Sequence, residues 1–318
     1  MNNLRKIGLS ALAGSLATFS VNAADFSVSG AGSISFDDTN RGKSDRGNGF
    51  YMGDSLKFNA SGETDGGIGV AVYYEIDGGA LDDNNIKLTG DFGSITFDNH
   101  GGSSAMGAVD DKMPNAYEEA WDIIDTDGTS ATGSPTVING SGGGDGMWIY
   151  NSPNMGGAVL TVAYRNHVSD AAESMTDFAL AVSPESIDGL TLGMAMSNNT
   201  IGINVDSDES TLYATYATGG FTFGVQSSDL DHTTATSDQE SIAYGITYAV
   251  NDDMSIGYSY HELETELTTD QDQESTGFSA SYTMGGMTLA GASNEVKNMA
   301  GTATRDHEGY EFTLSFAF

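Results

Sequence analysis

The chain has no cysteine, so neither a disulfide framework nor thiol chemistry contributes to its fold or function. Proline is rare, with 4 residues against 42 glycines, which suits many strands with tight turns better than helices. After the first 23 residues, the sequence lacks an apolar run long enough for a transmembrane helix. A membrane location stays open, because a closed β-barrel also pairs its backbone groups internally.

Basic residues are scarce as well. The 318 residues include 11 Lys and Arg against 45 Asp and Glu, and the net charge is −34. Such a surface repels nucleic acid and anionic membranes, so we expect no nucleic-acid partner and an excess of cations nearby. Solubility in a salty exterior explains most of these charges.

The amino terminus has the layout of a secretory signal. Arg5 and Lys6 precede an apolar segment at 7–21, and Val21-Asn22-Ala23 is a small-x-small cleavage site. We expect residues 1–23 to be removed and residues 24–318 to form one domain. Because two of the eleven basic residues lie in the signal, the mature net charge is 9 − 45 = −36.

The last ten residues alternate strictly between an apolar and a polar face. The apolar face holds Tyr310, Phe312, Leu314, Phe316 and Phe318. A soluble edge strand this apolar would invite aggregation, whereas a paired strand that faces lipid would not.

Similar segments of about ten residues recur along the chain, and we count about sixteen of them, separated alternately by short and long connections. Acidic loops are predicted before residue 86, at 229–239 and at 262–274. The longest interruption is 99–145, within which 114–124 begins with proline and is predicted as a short helix. The pattern predicts an all-β, antiparallel transmembrane barrel, with a soluble β-sandwich or solenoid as the alternative.

Three stretches resemble the general bacterial porins, particularly the alphaproteobacterial type. They are 56–63 followed by 69–77, the hairpin at 88–95, and the closing strand at 308–318. The resemblance implies a homotrimer of 16-stranded, water-filled barrels in the outer membrane of a Gram-negative bacterium, in contact with lipid and lipopolysaccharide. It also implies that the barrel-assembly machinery reads the terminal Phe318.

In that family the third external loop folds into the lumen and narrows the pore, so residues 99–145 correspond to the constriction loop. Its acids, expected to face the lumen, are Asp110, Asp111, Glu118, Glu119 and Asp122. The usual Pro-Glu-Phe-Gly-Gly loop signature is missing, which leaves open which acids reach the narrowest point.

Strand parity places three basic side chains on the wall. If Leu56 and Phe58 face lipid, Lys57 faces inward, and the same reasoning places Lys87 and Arg165 inside. A cation on the lipid face would cost about 2–4 kcal/mol at the midplane. We expect these three to oppose the loop acids, although each could instead pair with a neighbouring acid.

The resulting prediction is a passive diffusion channel for ions and small hydrophilic solutes, with a weak cation preference. The alternatives are a substrate-specific outer-membrane channel and a structural or adhesive surface barrel. No metal spacing joins the five histidines and no catalytic Ser/His/Asp order stands out, so we expect no enzyme and no cofactor. Loose binding of calcium by the loop acids stays possible.

Overall fold

A computed structural model describes residues 25–37, 49–122, 145–166, 174–202, 205–233, 238–265 and 271–318. These residues form sixteen β-strands. The strands are β1 (Asp25–Asp37), β2 (Phe50–Glu63), β3 (Gly69–Asp77), β4 (Ala80–Gly90), β5 (Gly93–His100), β6 (Met147–Asn151), β7 (Ala158–Arg165), β8 (Ser174–Val182), β9 (Leu190–Gly202), β10 (Val205–Thr218), β11 (Phe221–His232), β12 (Gln239–Asn251), β13 (Met254–Thr265), β14 (Gln273–Met284), β15 (Met287–Lys297) and β16 (His307–Ala317).

Every strand pairs antiparallel with its neighbours in the chain, and β1 pairs with β16, so the sheet closes into a barrel. At this seam Ala31 lies opposite Ala317 and Asp37 opposite Glu311. One residue further, Gly30 and Phe318 exchange two backbone hydrogen bonds of 2.8 and 3.0 Å. Closure pairs the strand edges that would otherwise be free to aggregate. The predicted fold class, a 16-stranded antiparallel β-barrel, is confirmed.

Side chains alternate between two faces along each strand because the backbone is pleated. On β11, Phe221, Phe223 and Val225 are exposed, whereas Gln226 and Ser228 on the other face are buried. The same pattern places the aromatic and aliphatic residues of the last strand outside. The outer face is therefore apolar, and the inner face carries small and polar side chains.

Two connections between strands are short, and the first of them stands where a loop was predicted before residue 86. Gly78 and Gly79 alone join β3 to β4, and only residues 203–204 separate β9 from β10. The acidic segments predicted as loops also begin inside strands, since β11 runs to His232 and β13 to Thr265. The backbone hydrogen bonds between strands continue past the apolar band. Exposed carboxylates there face a polar medium, so they do not oppose the pairing of backbone N–H and C=O groups.

The predicted helix at 114–124 does not appear in residues 114–122, and 123–124 lie outside the described residues. A backbone donor of this segment bonds instead to the barrel wall, since the Ala116 N–H donates to Ser279 Oγ at 3.0 Å. The interruption instead contains a one-turn 3₁₀ helix at Gly107–Val109. The predicted signal segment, 1–23, also lies outside the described part.

Within the described ranges, no helix is long and apolar enough to cross a membrane.

Candidate functional site

The chain between β5 and β6, here called the β5–β6 loop, is described for residues 101–122. Its first part packs on the inner face of β6–β10 through an apolar cluster that includes Ala105, Met106 and Val109. The wall residues of this cluster are Met147, Ala163, Met175, Ala179, Ala195 and Tyr213. The buried Asp177 carboxylate accepts the Met106 N–H at 2.8 Å, so a charge-assisted hydrogen bond holds the turn at this point.

The middle of the loop lies along β11 and β12. Gln226 fixes it from both ends of its amide, because its Nε2 donates to the Val109 carbonyl at 2.7 Å and its Oε1 accepts the Lys112 N–H at 2.9 Å. Met113, with Ala120 and Trp121 from the next part of the loop, packs on Ala243 of β12. The loop backbone is therefore attached to β11 at both Val109 and Lys112.

The last described part of the loop reaches β15 and β16. Asn294 Nδ2 donates to the Glu119 carbonyl at 2.7 Å. The Tyr117 hydroxyl donates to the Glu311 carboxylate and contacts Thr313 Oγ1 at 2.6 Å. Tyr51 of β2 donates to the same carboxylate at 2.7 Å, so Glu311 joins the loop to the seam of the barrel. Burial and this carboxylate raise the pKa of the Tyr117 hydroxyl above its ordinary value.

The five acids predicted for the loop all lie in this described part, and residues 123–144 of the predicted 99–145 segment lie outside it. Asp110 is exposed, while Asp111, Glu118, Glu119 and Asp122 are half-buried. Burial raises the pKa of Asp111 to about 7; the Met113 N–H opposes this rise, and the charges of Glu119 and Asp110 add to it.

Among the three predicted wall cations, Lys57 faces inward and forms an ion pair with Glu75 at 3.3 Å. Glu75 also accepts hydrogen bonds from Ser55, at 2.5 Å, and from Tyr73. The alternative that a lysine pairs with a neighbouring acid therefore holds at this position. Lys87 lies opposite Ala71 in the strand register, which places it on the same face as Tyr73 and Glu75.

Arg165 lies at the end of β7, in register with Met147 on one side and Met175 on the other. Both methionines belong to the cluster that receives the first part of the loop. Arg165 therefore stands beside the point where the loop meets the wall, separated by two strands from the β4 position of Lys87. Its membership of one opposing positive half-ring stays a prediction.

Two groups of carboxylates in the described residues come close enough to share a cation. Glu118, Glu119 and Asp122 form one, and Glu75, Asp77 and Asp82 form the other, with ligand oxygens within 4.8 Å of one another. Acidic groups at a surface commonly approach in this way without an ion, so the proximity assigns no metal. The possibility of loosely bound calcium stays a prediction.

Sequence reasoning missed several residues that determine this geometry. Glu75 was detectable, because the outward alternation of Val72, Tyr74 and Ile76 places it inside. The pairing of Tyr117 with Glu311 joins residues 194 positions apart, and no local pattern indicates it.

Comparison with known proteins agrees with this geometry. Residues 8–298 match the family model described as Gram-negative porin. No curated protein sequence matches the chain significantly.

Three solved structures illustrate the similarity of fold. The anion-selective porin from Comamonas acidovorans is 14% identical with a TM-score of 0.70, covering 93% of this chain and 100% of that one. The trimer form of OmpT, an outer membrane protein of Vibrio cholerae, is 11% identical with a TM-score of 0.69, and the coverages are again 93% and 100%. A mutant of the Rh. blastica porin is 16% identical with a TM-score of 0.61, covering 92% and 100%.

The closed barrel with its apolar exterior defines a class, the pore-forming proteins that cross the outer membrane with strands. Within that class, the match over most of its length shows that the chain belongs to the Gram-negative porin family. A passive channel across the outer membrane is the function that this family and this fold support.

Proposed function

We propose that this porin is a non-enzymatic diffusion channel for ions and small hydrophilic solutes, with a weak preference for cations. The observation that carries the charge preference is the position of the β5–β6 loop. Its contacts follow the inner face from β6 to β16 and hold five carboxylates within residues 101–122, against one lysine, Lys112. Residues 99–145 would then constrict the pore.

The opposing charges are fewer and partly neutralised. Lys57 on β2 and Lys87 on β4 lie about half a barrel away from β10 and β12, along which the loop carries Asp110 and Asp111, whereas Glu119 lies nearer to them, at β15. The charge of Lys57 is offset by Glu75 at 3.3 Å. The net charge of this part of the pore is therefore negative, which attracts cations to the water between the loop and β2–β4.

The magnitude of this preference should be small. One pair of unit charges about 6 Å apart in water is worth under about 1 kcal/mol, and salt screens it further. We expect a permeability ratio of about 2–5 for K⁺ over Cl⁻, which is a preference and not a filter. The Comamonas acidovorans neighbour is described as anion-selective, so this barrel fold by itself does not determine the sign.

Assembly completes the proposal. The chain would act as a homotrimer in outer-membrane lipid and lipopolysaccharide, after export by a cleaved signal at 1–23. Its terminal Phe318, a residue that is 76% exposed, would be read by the assembly machinery. The trimer form of the OmpT neighbour supports this oligomer at the level of the fold.

The test is the reversal potential of the refolded mature protein in a planar bilayer under a KCl gradient. A triple variant, Glu118→Gln with Glu119→Gln and Asp122→Asn, should reduce the K⁺ preference. The matched control removes three exposed acids of β10 and β11, as Asp208→Asn, Asp229→Asn and Asp231→Asn, and should change it less. A wild-type potential favouring Cl⁻ would refute the cation preference, and absence of conductance would favour a structural or adhesive barrel. Saturable block by one solute would favour a substrate-specific channel.

A further inference from the structure

Four glycines form a continuous path on the inner wall directly behind the β5–β6 loop. They lie on four consecutive strands, and we call them the glycine track: Gly224 on β11, Gly245 on β12, Gly257 on β13 and Gly277 on β14. Gly224 and Gly245 lie directly opposite each other in the strand register. Each of the four occupies an inward position of its strand, where a side chain would point at the loop.

The loop backbone uses the space that the missing side chains leave. A Cβ at Gly245 would lie 2.8 Å from both Cδ and the carbonyl oxygen of Pro114, and one at Gly257 would lie 2.9 Å from the Ala116 nitrogen. A Cβ at Gly277 would lie 2.8 Å from Ala120 Cα. At Gly224 the nearest atom is Cδ of Pro114. A methyl group at any of these four positions would therefore collide with the loop.

Polar side chains beside the track bind the same segment of the loop. Gln226, two residues after Gly224, bonds the backbone at Val109 and Lys112. Ser279, two residues after Gly277, accepts the Ala116 N–H at 3.0 Å. The glycines leave space into which the loop backbone fits, and these side chains form hydrogen bonds to it. The wall therefore holds the loop backbone at a defined distance from the strands.

Glycine in the interior of a strand is unfavourable, since it provides no side chain to pack and loses more backbone freedom on folding. Its occurrence at the contact point of four successive strands marks a close approach of another backbone. The occupant is observed: it is the segment from Lys112 to Ala120 of the chain itself.

We propose that the glycine track sets the width of the pore by determining how far the β5–β6 loop projects from the wall. This inference rests on the proposed channel function. It assigns control of the pore width to residues of β11–β14 as well as to the loop. The wall lies behind the loop, so a side chain added on the track displaces the loop toward the pore axis and narrows the opening.

Gly224→Ala is the sharpest test, because its first obstacle is the ring of Pro114, which can be removed separately. Overpacking forces backbone shifts, so we expect single-channel conductance in KCl to fall by about 1.5-fold or more. Adding Pro114→Ala should restore it toward wild type. Gly257→Ala should lower conductance without rescue by Pro114→Ala, because Ala116 backbone blocks that position.

Gly69→Ala is the matched control. Gly69 begins β3 on the inner face, and the nearest atom to its added Cβ, the Thr89 carbonyl oxygen, is 3.7 Å away. Conductance should be unchanged. Retained β-sheet circular dichroism and heat-modifiable gel migration identify the folded variants. Unchanged conductance in folded Gly224→Ala and Gly257→Ala, or equal loss in Gly69→Ala, would overturn the proposal.

A second measurement does not depend on conductance. Because the chain has no cysteine, Ala116→Cys provides a single thiol on the loop. Its rate of labelling by a charged maleimide should rise when Gly257→Ala lifts the loop from the wall, and should stay constant with Gly69→Ala. If the barrel does not conduct but shows the labelling difference, the channel function is refuted and the contact between the loop and the glycine track is supported. If the barrel conducts but the labelling rate does not differ, only the role of the glycine track in positioning the loop is refuted.

Discussion

The inner wall on β2–β4 and the inner wall on β11–β14 use their polar residues differently. On β2 and β3, Lys57, Ser55 and Tyr73 all direct their polar atoms to Glu75, so the wall side chains satisfy one another. On β11 and β14, Gln226 and Ser279 bond the backbone of the β5–β6 loop. These polar groups on β2 and β3 are therefore paired within the wall, whereas those on β11 and β14 are paired with the loop.

This difference separates two tasks of a pore. Under the proposed channel function, charged side chains on β2–β4 would act on solutes through water, where each charge has a weak and screened effect. Small residues on β11–β14 determine how closely the loop approaches the wall, because a single added methyl group there meets a close-packed surface. Substitutions at the loop-bearing wall, β11–β14, should therefore change the shape of the pore and the stability of the barrel. Substitutions at the lysine-bearing wall, β2–β4, should change ion selectivity.

The largest effect is expected from Met106→Ala. Met106 is fully buried between the loop and the wall of β6–β10. Comparable Met→Ala substitutions in protein cores cost about 2–5 kcal/mol. Denaturant unfolding of the detergent-solubilised barrel measures this cost. Thr96→Ala, on the inner face of β5, should stay within about 0.5 kcal/mol. Equal costs for the two would contradict the view that packing between the loop and the inner wall contributes to stability.

A smaller effect is expected at the lysine-bearing wall from Glu75→Gln. Removal of the carboxylate leaves the charge of Lys57 uncompensated, so the ratio of K⁺ to Cl⁻ permeability should fall about twofold at low salt. The reversal potential reports the ratio, and conductance at high salt should change little. Glu308→Gln, which removes an exposed acid from β16, is the control. A ratio that rises in Glu75→Gln would show that Lys57 is not the charge that solutes meet.

The smallest effect concerns pH. Burial raises the pKa of Asp111 to about 7, so the folded protein binds this proton more tightly than the unfolded chain. The stability from this group is complete at acidic pH and is lost as the pH rises through about 7. On acidification through the same range, the loop loses one negative charge and the cation preference should weaken slightly.

Reversal potentials measured between pH 5 and 9 test this prediction. Asp111→Asn should remove the step near pH 7, whereas Asp110→Asn, which changes an exposed neighbouring acid, should leave it in place. A step that persists in Asp111→Asn would assign the titration to another group.

The barrel itself could be predicted because alternation is a local property. Phe312 and Leu314 flank Thr313, and that pattern alone determines which side chain faces outward. The same parity places Lys57 on the face of Glu75, with which it forms an ion pair. Strand ends were predicted less well, since the acidic residues at the ends of β11 and β13 are typical of loops and yet continue the backbone ladder.

The seating of the loop could not be predicted, because it depends on contacts between distant parts of the chain. Pro114 suggested the start of a helix, but its ring lies over Gly224 and Gly245, more than a hundred positions later. Glycines at these places look like the turn glycines that are abundant elsewhere in the sequence. Only their alignment on adjacent strands, visible in three dimensions, distinguishes them.

The order of the chain has a consequence for biogenesis. Lys112 is attached to Gln226, 114 residues later, and Tyr117 to Glu311, 194 residues later. The loop thus emerges from synthesis and export well before the surface on which it lies. Its segment from Lys112 to Tyr117 cannot make these contacts before β11 and β16 have formed, so the seating of this part of the loop depends on the carboxyl-terminal strands.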